Sequence, residues 1–161
     1  MFGDSHSDSA RMIGLIQRVT HASVEIKGEI TGEIDDGLLV LVGVEANDNL
    51  STANQLLRKI MHYRVFSDNE GKMNLSLMQV DGALLLVPQF TLVAETSKGL
   101  RPGFGGGPSP ANAQRLFETL VTDAQATCPE VAAGTFGADM QVQLTNDGPV
   151  TFWLQVNPPA A

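Results

Sequence analysis

A single cysteine, Cys128, stands in the whole chain. It excludes an internal disulfide and any cysteine-rich metal site, and such usage fits a reducing cytoplasm, where the protein is expected to work. Long apolar runs are absent too. None approaches the ~20 residues that cross a bilayer, so no membrane partner is expected. Positive charge is scarce, with 10 Lys and Arg against 18 Asp and Glu and a net charge of −8. That balance argues against broad contact with nucleic acid, DNA included, because such contact relies on cations that neutralise phosphates. It leaves room for a protein that grips only a short end of an RNA. Familiar catalytic patterns are also missing. His6, His21 and His62 are scattered without metal-ligand spacing. No G-x-S-x-G elbow occurs, and "GFGGGPSP" lacks the Lys-Ser/Thr ending of a phosphate-binding loop. No cofactor and no metal are expected.

What remains is a globular composition. The 161 residues are 43% apolar and 17% charged, enough for one domain with a real core. "MFGDSHSDSAR" at the start is small and polar, without the apolar stretch of a secretory signal. We read 1–11 as a flexible extension or tag, 12–157 as one domain and 158–161 as a tail. Internal repeats and interdomain linkers are not evident.

"IGLIQRVTHASVEI" reads as extended structure with a break near His21, and Ile26 to Ile30 as a hairpin. The apolar run "GLLVLVGVE", Gly37 to Glu45, suits a central strand covered on both faces. Ala53, Leu56, Leu57, Ile60 and Met61 then form one stripe of a helix, with Asp48 or Ser51 as N-cap. "SDNEGKMN" reads as a loop round a turn. "ALLLVPQFTLVAE", Ala83 to Glu95, reads as a strand interrupted by Pro88. "TSKGLRPGFGGGPSP" is too long for a simple connector. Ser109-Pro110 opens a second helix, with Ala113, Leu116, Phe117, Leu120, Val121 and Ala124 as its stripe. "ADMQVQLTND" and "VTFWLQV" read as two strands joined by a turn at Asn146-Asp147-Gly148.

Two short segments hold chemistry. In "PQFTL", Pro88 to Leu92, a proline within an apolar strand marks a bulge or an edge. Either one would turn backbone groups away from the ladder and leave the N–H groups of Phe90 and Thr91 to face a ligand. Gln89 adds an amide and Thr91 a hydroxyl. The plain alternative is an edge strand with ordinary alternation. The second segment is Gly148-Pro149. Read plainly it is a trans turn-to-strand junction; read sharply it is a cis bond whose carbonyls receive an ammonium group.

At these segments the chain resembles the D-aminoacyl-tRNA deacylases, the D-tyrosyl-tRNA deacylase family. The resemblance runs from Met12 to Val156 and includes "GLLVLVGVE", "FSDNEGKMNLSL", "KGLRPGF" and "GADMQVQLTNDGPVT". It implies an α+β single domain with a barrel-like core of about six to eight strands and two main helices. It implies a carboxylic ester hydrolase that releases D-amino acids, and glycine mischarged on tRNA(Ala), from the 3′ end of tRNA. It also implies a homodimer in which a cis Gly-Pro reaches into the partner's site. Carried over, Gly148 and Pro149 would hold the α-ammonium and exclude L side chains, with Val150 and Thr151 in the same substrate-binding segment. Gln89, Phe90 and Thr91 would be the catalytic segment, the Phe90 and Thr91 N–H groups forming the oxyanion hole and Phe90 packing near the terminal adenine. The resemblance favours main-chain, tRNA-assisted chemistry over a threonine nucleophile, which needs an adjacent base. Arg18 would hold the Gly-Pro in place, and Ala138 and Met140 would line the adenosine pocket, although Met140 reads equally well as core. Lys98 and Arg101 are phosphate candidates or solvated loop charges. Phe152 and Trp153 fall to core or dimer packing. Pro88 stands where the family has serine, and Gly103 where serine is usual. A non-hydrolytic module for tRNA ends or amino-acid-like ligands is the alternative.

Overall fold

The computed structural model describes residues 11–156. Residues 1–10, which hold most of the expected extension and His6, and the expected tail lie outside them. Eight strands, two long helices and one short helix form one α+β unit, as expected. The first strand, β1 (Ile13–Ile26), runs unbroken past His21. The expected break there falls in the pairing register instead. Lys27 and Gly28 adopt positive φ (52° and 83°) and turn the chain into β2 (Glu29–Ile34). The hairpin therefore stands where the sequence placed it.

The apolar run forms β3 (Gly37–Gly43). It pairs antiparallel with the first half of β1 and parallel with β6 (Ala83–Pro88). Both faces are covered, which is why the run is continuous. Leu38, Val40 and Val42, with Leu84 and Leu86, pack against α1 (Leu50–His62) and α3 (Pro110–Thr127). Leu39, Leu85 and Val87 point the other way, onto Val19, Val24 and Ile34. Burying each such leucine stabilises the fold by roughly 1.5–3 kcal/mol. At Gly37 an added Cβ would lie 1.9 Å from the Ala83 carbonyl, so only glycine permits this approach of β3 to β6.

The first helix is capped by Asn49, not by Asp48 or Ser51. Asn49 Oδ1 accepts from the Thr52 N–H at 3.0 Å, and its own N–H donates to Thr52 Oγ1 at 2.9 Å. Asp48 is engaged one step earlier, where Oδ2 accepts from the Glu45 N–H at 2.7 Å. "SDNEGKMN" is the turn of a hairpin between β4 (Arg64–Ser67) and β5 (Met73–Ser76). The short helix α2 (Leu77–Val80) follows it, which the sequence reading did not foresee. The second long helix begins as read, with Ser109 accepting from the Asn112 N–H at 3.1 Å. After it comes β7 (Val131–Ala133), parallel to β6.

The largest departure is at the end of the chain. β8 (Gln141–Gln155) is one long strand, antiparallel to β1 along most of its length. The expected turn does not reverse the chain. It is a bulge within β8. The sheet order is β2-β1-β3-β6-β7, with β8 on the other edge of β1. β2 curls back over β6 and β7, where an added Cβ on Gly32 would meet the Ala133 carbonyl at 3.3 Å, giving the barrel-like closure.

Candidate functional site

The parallel strands β3 and β6 open onto a cleft of about 490 Å³ at their C-terminal ends. Ligands commonly settle at the carboxyl ends of parallel strands. Val42, Val87 and Val142 line it, with Ala113 and Phe117 of α3, and Pro88, Gln89 and Phe90 form part of its rim. No ionisable side chain is among the lining residues.

The rim bears out the edge reading of "PQFTL" at Pro88 and departs from it beyond. β6 lies between β3 and β7 without a bulge, but its pairing with β7 ends at Leu86, so at Pro88 it is locally an edge, paired with β3 alone. Its ladder ends at Pro88, paired with Val42, and the Gln89 N–H donates to the Val42 carbonyl at 2.8 Å. The chain then winds into a 3₁₀ turn, Phe90–Val93, instead of continuing as a strand to Glu95. The Leu92 N–H donates to the Gln89 carbonyl at 3.3 Å. The N–H groups of Phe90 and Thr91 precede that bond, and the first N–H groups of a helical turn have no intrahelical acceptor. The Thr91 hydroxyl is exposed and accepts from the Gln89 side-chain amide. An amide is not a base, and no imidazole or carboxylate lines the cleft. The hydroxyl therefore has no visible route to activation.

Phe90 is 67% exposed, and its ring lies 5.3 Å from that of Phe104, tilted 49°. The sequence reading did not single out Phe104. Its signal is that it is the sole aromatic of the Gly/Pro-rich loop. Glu95 and Gly103 exchange backbone hydrogen bonds of 2.8 and 2.9 Å, which staple the base of that loop. Lys98 and Arg101 lie exposed on it, outside the cleft lining. Ala138 and Met140 do line the cleft. Met140 also packs against the buried cluster of Val19, Leu85 and Val87, so it belongs to the core as well as to the cleft wall. Nearby but outside the cleft, burial raises the pKa of Asp48 and of Glu45, the latter also through the neighbouring Asp48 charge.

The second segment is not part of this cleft within one chain. Gly148, Pro149, Val150 and Thr151 are absent from its lining. The Gly148–Pro149 bond is cis, as in the sharper reading, and Gly148 has φ +127°. Arg18 stands opposite the bulge. Its Nη1 donates to the Val65 carbonyl at 2.8 Å, and its Nε lies 3.2 Å from Asp147 Oδ2, an ion pair out of line for a hydrogen bond. Arg18 is thus a mostly covered residue beside Gly148 (side chain 14% exposed), not a freely solvated one. Asn146 spans the bulge and was also missed. Phe152 packs on the core, edge-on to Tyr63 at 5.7 Å, while Trp153 is 51% exposed. Among the described residues no cluster of His, Cys, Asp or Glu could hold a metal, and no helix is long and apolar enough to cross a membrane.

A family model described as D-Tyr-tRNA(Tyr) deacylase matches residues 15–155. A D-aminoacyl-tRNA deacylase of Aeromonas hydrophila is 57% identical over 145 residues, covering 90% of this chain and 100% of that relative. One from Pseudomonas fluorescens is 59% identical over 144 residues, covering 89% and 99%. A solved c-Myc DNA unwinding element binding protein superposes with TM-score 0.84 at 35% identity, over 92% of this chain and 99% of its own. A probable eukaryotic D-amino acid tRNA deacylase does so with TM-score 0.74 over 91% and 100%; at 16% identity it shares the fold alone.

Proposed function

The chain belongs to the D-Tyr-tRNA(Tyr) deacylase family, and from that premise we propose that it hydrolyses the ester of D-aminoacyl-tRNA by main-chain catalysis. The observation that supports this most is a cleft without ionisable side chains beneath the unpaired start of the Phe90–Val93 turn. A hydrolytic site of that composition has only neutral donors for the oxyanion, the backbone N–H groups of the turn first and the Gln89 amide beside them. One such donor contributes about 2.7–4 kcal/mol in well-studied hydrolases. An aminoacyl ester is already activated, so oxyanion donors at Phe90 and Thr91, with the substrate's own ribose hydroxyl positioning water, suffice for turnover. Ala138, Met140 and the Phe90 ring supply an apolar seat for the terminal adenosine, in keeping with the preference of unpaired bases for stacking on aromatic rings.

Selection by handedness falls to the other segment. In our reading the protein is a homodimer, and Gly148–Pro149 of one protomer enters the partner's cleft. There its carbonyls receive the α-ammonium and leave no space for an L side chain, with Val150 and Thr151 beside them and Arg18 bracing the bulge from behind. Glycine, lacking a side chain, passes the same filter, which extends the substrates to glycyl-tRNA(Ala). A net charge of −8 suits a protein that engages only the 3′ end and weighs against DNA as a partner. Turnover should therefore depend only weakly on salt.

The test is to incubate the purified protein with D-tyrosyl-tRNA and with L-tyrosyl-tRNA and to measure free amino acid. Release from the D form alone is expected. No release from the D form would favour a non-hydrolytic binder of tRNA ends. Equal release from both would end the chirality filter while leaving hydrolysis intact.

A further inference from the structure

The pairing of β8 with β1 shifts register twice, and the larger lapse is between Gln17 and Val19. Val19 pairs with Asn146 and Gln17 with Thr151, so the single residue Arg18 of β1 stands opposite four of β8. The residues between, Asp147 to Val150, stand outside the ladder and need another support. The Arg18–Asp147 ion pair is one, but Asp147 is 49% exposed, and such pairs contribute little in water. Asn146 supplies the other. Its Oδ1 accepts from the Val150 N–H at 3.1 Å, and its Nδ2 donates to Thr151 Oγ1 at 2.9 Å. The Val150 N–H can only donate, so it dictates which way the amide faces. One side chain thus ties the start of the bulge to its end. Val150 in turn abuts the glycine: a Cβ on Gly148 would lie 2.7 Å from Val150 Cγ2 and 3.1 Å from its backbone nitrogen. Contact runs from Asn146 to Val150 to Gly148.

We propose that Asn146 is a positioning residue for the selection of substrate handedness, setting the height at which Gly148 and Pro149 project from β8. This rests on the reading that those two residues meet the substrate. Asn146 touches no substrate itself. Its removal lets Val150 shift, and Gly148 with it, so the L side chain is no longer excluded by a fixed wall.

The experiment compares kcat/KM for D-tyrosyl-tRNA and L-tyrosyl-tRNA in the full chain. Asn146→Ala is expected to lower the D-over-L ratio at least tenfold while melting stays within a few degrees of wild type. Asn146→Asp should restore most of the ratio, because its carboxylate accepts from the Val150 N–H and the Thr151 hydroxyl can rotate to donate to it. A wild-type ratio in Asn146→Ala would overturn the proposal. If that variant does not fold, Asn146→Ser keeps a turn-forming residue but cannot span both contacts. It is expected to lose discrimination as well, and a wild-type ratio there overturns the proposal equally. Pro149→Ala is measured alongside. Should it discriminate like wild type, the underlying reading of Gly148–Pro149 fails. Should it lose discrimination while Asn146→Ala keeps it, only the role of Asn146 falls.

Discussion

The turn at Phe90 grows out of β6, a strand with neighbours on both edges and a core on both faces. The bulge at Gly148 interrupts β8, which among the described residues pairs with β1 alone. The first is aimed by the sheet: Leu85 and Leu86 are wholly buried just before it, and no side-chain hydrogen bond caps the turn. The second is aimed by side chains, Arg18 and Asn146, that reach in from the strand beside it and from its own start. Two backbone devices of one proposed site are thus held by different means. Deep truncations should damage the first, and polar or steric changes the second.

The largest effect expected is at the root of the turn. Leu86→Ala removes a side chain with no exposed surface and should cost about 2–5 kcal/mol of stability, read as a lower urea midpoint. A loss under about 1 kcal/mol would mean that the core anchors this end of β6 less firmly than its burial implies. Gly148→Ala comes next and acts on the bulge. Its Cβ would crowd Val150 and lie 3.2 Å from Arg18 Nη2 at a φ of +127°, so the projecting segment must move. A displacement of about 1 Å at a reacting site can cost on the order of 100-fold in rate, and kcat/KM for the D substrate should fall by that order. The segment is exposed at the edge of the sheet, so stability should change less than in Leu86→Ala. A variant that unfolds while its kcat/KM per folded molecule is unchanged would invert the comparison. Arg18→Lys is smaller again. A lysine ammonium cannot hold the Val65 carbonyl and flank Asp147 with the planar fork of arginine. Losing one charge-assisted hydrogen bond is worth about 1.5–3 kcal/mol, so a roughly tenfold or greater fall in D-over-L discrimination is expected. Unchanged discrimination would leave Arg18 a purely structural tie to Val65.

The same contrast explains what the sequence disclosed. Elements that settle their own conformation were legible: the Lys27-Gly28 hairpin, the Ser109-Pro110 helix start and the doubly buried run from Gly37. The Phe90 turn was not. "FTLVA" has strand composition, but β7 reaches only Ala133 and β3 only Gly43, so past Pro88 the chain has no ladder to join. Absence of a partner strand is a tertiary fact that local propensity cannot register. The bulge was misread as a turn for the converse reason. Asn-Asp-Gly is good turn chemistry, yet β1 is long enough to hold both halves of the segment on one edge. The cap at Asn49 was lost to a neighbour of the same chemistry, because Asp48 closes the preceding bend. Of the site residues, Gln89, Phe90, Ala138 and Met140 meet at the cleft. Phe104 was overlooked because the ring it meets, Phe90, is remote in the chain, and Asn146 because its turn chemistry concealed that its side chain bonds forward to Val150 and Thr151.

The smallest effect expected distinguishes side-chain from main-chain chemistry at the turn itself. Thr91 is exposed, and its hydroxyl oxygen accepts a hydrogen bond from the Gln89 amide. Thr91→Ala keeps the backbone N–H at that position and the carbonyl that accepts from the Ala94 N–H at 3.3 Å, and so keeps the 3₁₀ turn. If the N–H groups do the work, kcat should stay within about threefold of wild type, under roughly 0.7 kcal/mol of barrier. The pH dependence should agree. With no ionisable group lining the cleft, no limb of the pH profile should come from a protein acid or base; the one fall expected is on the alkaline side, as the substrate's α-ammonium loses its proton at about pH 7.7–8. A nucleophilic threonine predicts the opposite on both counts: turnover lost by several orders of magnitude in Thr91→Ala, and a limb reporting whatever group deprotonates it. Loss of turnover with fold intact would place the chemistry in a side chain. The Phe90 turn would then resemble the Gly148 bulge, a backbone dependent on side-chain support, and the division between the two regions would disappear.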